Sequence, residues 1–471
     1  MLKKLPLTIS EAATDLRSGL YTSVELTEEV LRRADEFEAA VGSFASRFAD
    51  SARIAAKAAD DNLARGHDFG PLMGIPVAMK DVIATEEWVP RGGSLAPSPV
   101  ELKGDADAVK GVRDSGAVFV GSSVTMEFAI GMPDHEIGGK VSNNPWNTEM
   151  WAGGSSSGSG AGLAAQFFFG SIGSDTGGSI RCPAAFCGVT GFKPTYALVP
   201  TGGLIPLSYS LDHVSPMARS AEDCAILLDA MTVGAPRRPS GPGYAASLDL
   251  PLAGLRVGVD RERHLGGSKV DPAVIDAFDA AIDVLREAGA IVREMSIPFY
   301  DEVVGATMII TDTEAYSLHR HVLRDHWTEY GTSTRVQIAA GAVVPSADYL
   351  QAQRTRALGQ QHAARMFEEY DVVVFPTAAI PALPSSYLFD NDLRELILSR
   401  IYTPIWDGLG NPAISVPMGF TPSGLPVGLQ IAGPMFEDAR VLGVGAAYQR
   451  LVDWHLRTPV SIGHGGSTGN V

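Results

Sequence analysis

Serines, and one lysine far upstream of them, carry the candidate chemistry of this sequence. Nine glycines and seven serines fall within the 33 residues from Trp151 to Pro183. Leu163, Phe167, Phe168, Phe169 and Ile172 interrupt them, so the stretch is not a flexible Gly/Ser linker, which would lack apolar content. Serines flanked by glycine in an apolar frame suggest backbone brought close to a ligand. A serine hydroxyl is a poor nucleophile until a base takes its proton. Lys80, in the short apolar strand Gly74–Ile83, is the candidate base. Either it reaches water from the strand end, or it is buried and neutral, because burial disfavours the ammonium form.

Three chemistries compete for the glycine/serine stretch. A phosphate loop needs Gly-Lys-Ser or Gly-Lys-Thr, and neither occurs. A nucleophile elbow is formally satisfied by Gly154-Ser155-Ser156-Ser157-Gly158, with Ser156 central. It requires a strand just before it, which residues 147–152 do not resemble. It also requires a histidine, and His319, His321, His326 and His362 stand in polar helical surroundings that read as solvated. The third is a serine served by a lysine. There Thr176-Gly177-Gly178-Ser179 offers consecutive unblocked N–H groups beside a hydroxyl, the material of an oxyanion hole.

Composition limits the partners. Hydrophobic residues make up 45% and charged residues 19% of 471 residues, as in an ordinary soluble protein. A net charge of −17 argues against direct nucleic-acid binding. Cys182, Cys187 and Cys224 form neither a disulfide framework nor a zinc pattern, and read as buried reduced thiols in a cytoplasmic protein. The first residues hold no uninterrupted apolar core and no run of 18 apolar residues occurs, so neither a signal peptide nor a membrane span is expected.

The elements that must position these residues alternate between helix and strand. Thr8 or Ser10 caps a first helix to about Ser18, Thr22 a second to about Ala39, and 50–65 reads as a third. Strands are expected at 117–121, 255–259, 370–377, 412–417 and 427–433. Ser220 caps a helix to Met231, Asp271 to Ala288 is a strong helix, and 300–370 is mostly helical. The alternation predicts an α/β fold: one large α/β/α layered domain whose mixed central sheet is covered by helices on both faces. Its expected span is 1–462. An N-terminal helical layer occupies 8–65, a core about 70–232, a surface linker about 233–253 and a C-terminal part 254–462. A disordered tail follows at 463–471.

The residues also carry a resemblance. Gly153–Ser159, Gly173–Arg181, Pro183–Gly188 and Gly191–Thr195 are similar to the signature of the amidase signature family. Gly74–Asp81 resembles that family's lysine strand. The separations of 75 residues from Lys80 to Ser155 and 24 from Ser155 to Ser179 fit its Ser-cisSer-Lys triad. Leu211–Ser220 and Asn411–Pro417 resemble later blocks, so the likeness runs from about 8 to 455.

That resemblance implies roles. Ser179 is the nucleophile, Ser155 the bridging serine after a cis peptide bond, and Lys80 the neutral base. Thr176, Gly177 and Gly178 donate to the oxyanion. Asp175 and Arg181 brace the loop, and Ser156 makes supporting hydrogen bonds. Ser157, Ser159, Ser171 and Ser174 are left as loop structure. No metal or organic cofactor is implied.

The family includes free amidases, esterase-like and carbamate-cleaving members, and the glutaminase subunit of a tRNA-dependent amidotransferase. The sequence departs from that glutaminase at Gly121–Phe128, at Ser157 and Ser159, and at Thr403–Gly408. Arg356 could bind a carboxylate but reads as an exposed helix residue. Met126, Ile130 and Trp406 are expected to line a pocket for an aryl or alkyl amide, with esters or carbamates as further substrates. The glutaminase subunit of a tRNA-dependent amidotransferase, or a carbamate-specific (urethane-specific) hydrolase, is the alternative. A homodimer is left open.

Overall fold

The computed structural model describes residues 5–133, 140–267, 269–389 and 399–460. The tail expected at 463–471 lies outside these residues. Thirteen strands are described: β1 (Phe44–Arg47), β2 (Pro76–Lys80), β3 (Val118–Ser123), β4 (Asn143–Asn144), β5 (Asn147–Trp151), β6 (Gly170–Asp175), β7 (Thr190–Lys193), β8 (His213–Ala218), β9 (Arg256–Val259), β10 (Ile291–Glu294), β11 (Val372–Pro376), β12 (Ala413–Phe420) and β13 (Pro426–Ala432). Eleven of them form one sheet in the order β1-β3-β2-β6-β8-β7-β12-β13-β11-β9-β10. Parallel pairs (β2 with β3 and β6, β9 with β10 and β11) flank an antiparallel centre, so the sheet is mixed. Helices pack on it, as the α/β reading expects, and strands from both sides of the 233–253 segment share it.

The helix signals worked locally. Thr8 caps Ile9–Ser18, whose end is Gly19 in the left-handed region at φ 72°. Thr22 and Glu25 close a reciprocal capping box on Ser23–Val41. Asp271 caps Pro272–Glu287.

The glycine/serine stretch is not a loop. It holds the helix Ser157–Ala164 and the strand β6, both buried throughout. The glycines of that helix let protein approach protein. A Cβ on Gly158 would lie 2.2 Å from the Ser43 carbonyl oxygen, and one on Gly162 would lie 2.3 Å from the Phe168 ring. Ser159 bonds the hydroxyls of Ser123 and Ser171 at 2.8 Å each, joining the helix to β3 and β6.

Candidate active site

Two neighbouring parallel strands bring the first groups together. β2 and β6 run side by side with Met79 opposite Ile172, so the end of β2 at Lys80 lies beside the last residues of β6, next to Ser174. Lys80 closes β2 and is fully buried. Its Nζ donates to Ser155 Oγ at 2.6 Å and to Ser174 Oγ at 2.9 Å. Ser174 is thus a direct partner of the lysine rather than loop structure, since β6 places it beside the end of β2. Burial pushes the Lys80 amine down to about 7, against the opposing pull of Asp175 and Asp212. Of the two sequence readings of this lysine, the buried one holds.

Ser155 follows a cis peptide bond from Gly154. Its neighbour Ser156 is buried, with its Oγ 3.3 Å from the Ser174 carbonyl and its N–H donating to the Ser179 carbonyl at 3.1 Å. A strand does precede the formal elbow, contrary to the sequence expectation for 147–152. It is β5, but it pairs with β4 in a separate two-stranded sheet, and Ser156 faces the protein interior.

Ser179 stands half-buried at the turn after β6. Asp175 organises that turn. Its carboxylate accepts from the N–H groups of Gly178 (2.6 Å), Ile180 (3.1 Å) and Arg181 (3.4 Å), and from the Arg181 side chain at 2.9 and 3.0 Å. The expected oxyanion donors are therefore not equivalent, because the Gly178 N–H is already taken by Asp175. The N–H groups of Gly177 and Ser179 have no protein acceptor among the described residues. Thr176 is tied down through its hydroxyl, which donates to Asp212 Oδ1 at 2.7 Å.

Arg181 is buried among Asp175, Asp407 at 2.5 Å, the Gln430 side chain at 2.8 Å and the Thr403 carbonyl at 2.9 Å. Burial alone would raise Asp175, but the Arg181 guanidinium overrides it and holds the carboxyl well below its usual range. Asp407 is pushed the other way, above its usual range, by burial and by the nearby Asp175 charge, with Arg181 opposing. Behind them His213 Nδ1 lies 3.2 Å from the Asp175 carbonyl, and its Nε2 lies 3.2 Å from Lys193 Nζ. Sequence reasoning names Asp175 and Arg181 but misses their partners Asp407, His213 and Lys193, because His213 and Asp407 appear there only inside the Leu211–Ser220 and Thr403–Gly408 segments.

Ser155, Ser179, Thr176, Gly177 and Gly178 open on a cleft. Met126 and Ile130 line it as expected, together with Met132, Trp151, Cys182, Leu207, Met308 and Ile401. No charged side chain lines it among the described residues; Thr311 and Gln337 supply its outer polar groups. Trp406 does not reach the cleft. It is fully buried in a second apolar cluster, stacked on Phe375 with ring centroids 6.0 Å apart.

Arg356 is also not an exposed residue. It is buried, and its Nε donates to the Gly408 carbonyl at 2.7 Å. His319 likewise is fully buried, bonded to the Tyr330 hydroxyl at 2.9 Å, while His321 is exposed. Among the described residues no cluster of histidine, cysteine and carboxylate groups could hold a metal ion. No helix among them is long and apolar enough to cross a membrane.

Comparison with known proteins gives a consistent picture. The family model described as Amidase matches residues 25–442. A glutamyl-tRNA(Gln) amidotransferase subunit of Methylococcus capsulatus is 39% identical over 486 residues, which cover 97% of this chain and 99% of that protein. A crystal structure described as that of an amidase superposes with a TM-score of 0.83 at 30% identity, covering 94% of this chain and 99% of the other. The corresponding glutamyl-tRNA(Gln) amidotransferase subunit of Thermotoga maritima superposes with a TM-score of 0.76 at 27% identity, covering 94% of each chain.

Proposed function

This chain belongs to the amidase family, whose members act on C–N bonds, and on that footing we propose that it cleaves a carboxamide by acyl transfer through Ser179. The observation that carries the reading is the buried contact of Lys80 Nζ with Ser155 Oγ at 2.6 Å, at the floor of a cleft that Ser179 also lines. A lysine depressed to about 7 is substantially neutral at neutral pH and can accept a proton.

In this mechanism Ser179 Oγ attacks the amide carbonyl while its proton passes through the Ser155 hydroxyl to Lys80. The oxyanion is met by N–H groups of the turn, with Gly177 and Ser179 as the free donors beside Thr176. Lys80 returns the proton through Ser155 to the leaving nitrogen, and the C–N bond breaks. Water, deprotonated along the same path, then releases the acid from Ser179. The same steps would serve an ester or a carbamate. Asp175, Arg181 and Ser156 touch no reacting atom in this scheme; they hold the turn.

Two readings of the amide have specific support. Similarity favours the glutaminase subunit of a tRNA-dependent amidotransferase, because a 39% identical amidotransferase chain aligns along nearly the whole sequence. On that count it stands ahead of the small apolar amide. The cleft favours the aryl or alkyl amide: its described lining is mostly apolar and carries no charged side chain, and Arg356, the candidate carboxylate ligand, is buried with its Nε on the Gly408 carbonyl.

A panel of anilides, primary amides, p-nitrophenyl esters, carbamates and glutamine, assayed on the purified chain, separates them. Turnover of glutamine alone, with co-purifying partner chains, selects the first. Turnover of anilides or alkyl amides by the isolated chain selects the second. Ser179→Ala should abolish every activity and labelling by a fluorophosphonate. Wild-type turnover by that variant would overturn the acyl-enzyme mechanism.

A further inference from the structure

We infer that Thr403, which is 226 residues from the nucleophile turn, is a positioning residue for the oxyanion donors. The inference rests on the acyl-transfer reading above. Thr403 is fully buried at the start of the helix Pro404–Leu409, in the C-terminal part of the chain. Its Oγ1 donates to the Gly177 carbonyl at 2.7 Å. Its own carbonyl accepts from Arg181 Nη1 at 2.9 Å, so the residue is tied to both ends of the turn.

The Gly177 carbonyl and the Gly178 N–H belong to one planar peptide unit. Thr403 holds that unit by its oxygen, and Asp175 holds it by its nitrogen at 2.6 Å. Two opposed hydrogen bonds fix the orientation of the plane. The free N–H groups of Gly177 and Ser179 lie on the two peptides next to it, so their directions follow from the same restraint. Glycines rotate easily about φ and ψ, and two in succession would otherwise leave these donors free to turn. Donors aimed in advance are what stabilise a developing oxyanion.

Close packing shows how tightly the two parts fit. Gly178 has φ 121°, and a Cβ placed on it would lie 1.9 Å from Thr403 Oγ1. The missing side chain of Gly178 therefore makes room for the threonine hydroxyl. Gln430 completes the cradle, accepting from Arg181 at 2.8 Å and donating to the Tyr402 carbonyl at 3.3 Å.

The test compares Thr403→Val, Thr403→Ala and Thr403→Ser on the best amide from the substrate panel. Removal of one oxyanion donor costs about 10²–10³ in kcat; loosening the donors without deleting them should cost about 10–100-fold. That loss should fall on kcat, with KM changed by less than about two-fold. Thr403→Ser retains the donor and should stay within about three-fold of the parent. Phenylboronic acid, whose tetrahedral adduct on Ser179 would occupy the oxyanion site, should weaken in step with kcat in the valine and alanine variants. Benzamide, a ground-state amide, should not weaken.

Parental kcat in folded Thr403→Val or Thr403→Ala would overturn the inference. So would equal loss of boronate and benzamide binding, which is the mark of general damage. Should only the valine variant fail to fold, the alanine and serine pair decides. If Ser179→Ala remains active, the acyl-transfer reading fails. If Ser179→Ala is dead and the Thr403 variants are not impaired, only the role of Thr403 fails.

Discussion

Acidification should switch the reaction off through Lys80. An exposed lysine holds its proton to an ordinary 10.5, and burial lowers Lys80 to about 7. That displacement corresponds to about 5 kcal/mol in favour of the neutral amine. The sign follows from the role. A base works when unprotonated, so activity is present above the depressed value and is lost as pH falls through it. At pH 5 only about one-hundredth of the lysine would be neutral, while at pH 9 nearly all of it would be. The assay is kcat/KM on an amide from pH 5 to 9.5. It should rise about tenfold per pH unit on the acid side, bend near 7 and then level off. Lys193 is also depressed to about 7 by burial, but it contacts His213 and the Pro194 carbonyl rather than either serine. Lys193→Met should therefore keep the acid limb in place. Lys80→Ala should lose activity and regain part of it at high pH. A profile flat to pH 5, or one that bends near 10, would refute a neutral buried lysine as the base.

Two further outcomes test the packing around the site. Trp406→Ala empties the cluster around Phe375 and Phe367 and should cost about 3–5 kcal/mol of stability by denaturant unfolding, while KM of the folded fraction stays unchanged; a KM change with stability retained would return Trp406 to the pocket. Gly178→Ala drives a methyl into Thr403 at a backbone angle that disfavours side chains, and should destabilise the protein by about 2–4 kcal/mol and abolish fluorophosphonate labelling; normal labelling would show that the turn tolerates displacement.

Periodic and capped elements were legible in the sequence, because their signals are local. Thr8, Thr22, Ser220 and Asp271 each cap the helix expected of them. The apolar runs at 372–376 and 426–432 are strands of the central sheet. Short strands of unpromising composition were not legible. β6 reads Gly-Ser-Ile-Gly-Ser-Asp, with one β-branched residue, and is a strand only because β2 and β8 pair with it. The role of Ser174 was hidden with it. The buried partners His319 and Arg356 lie on helices whose sequences look polar, and tertiary contact alone buries them. Trp406 departs in the opposite sense. An aromatic residue near the cluster suggested a pocket wall, yet it faces away from the cleft.

The arrangement of charge explains how a lysine that gives up its proton near neutrality can persist beside carboxylates. Asp175 and Asp212 both pull the Lys80 amine towards its protonated form. Asp175 spends its charge on Arg181 and on three backbone N–H groups. Asp212 spends its oxygens on Thr176 and on the N–H groups of Leu207 and Ser208, while burial raises it to about 6. Neither carboxylate has a hydrogen bond to Lys80, whose donors go to two neutral hydroxyls instead. Desolvation then outweighs the residual attraction, and the amine is left poised near neutrality. The braces of the turn are thus also the groups that neutralise its surroundings. Arg181, which touches no reacting atom in the proposed mechanism, pairs with one of the carboxylates that pull on Lys80 and also braces the turn mechanically. The structure needs one network for both tasks because the turn carrying Ser179 leaves the same strand, β6, that supplies Ser174 to Lys80.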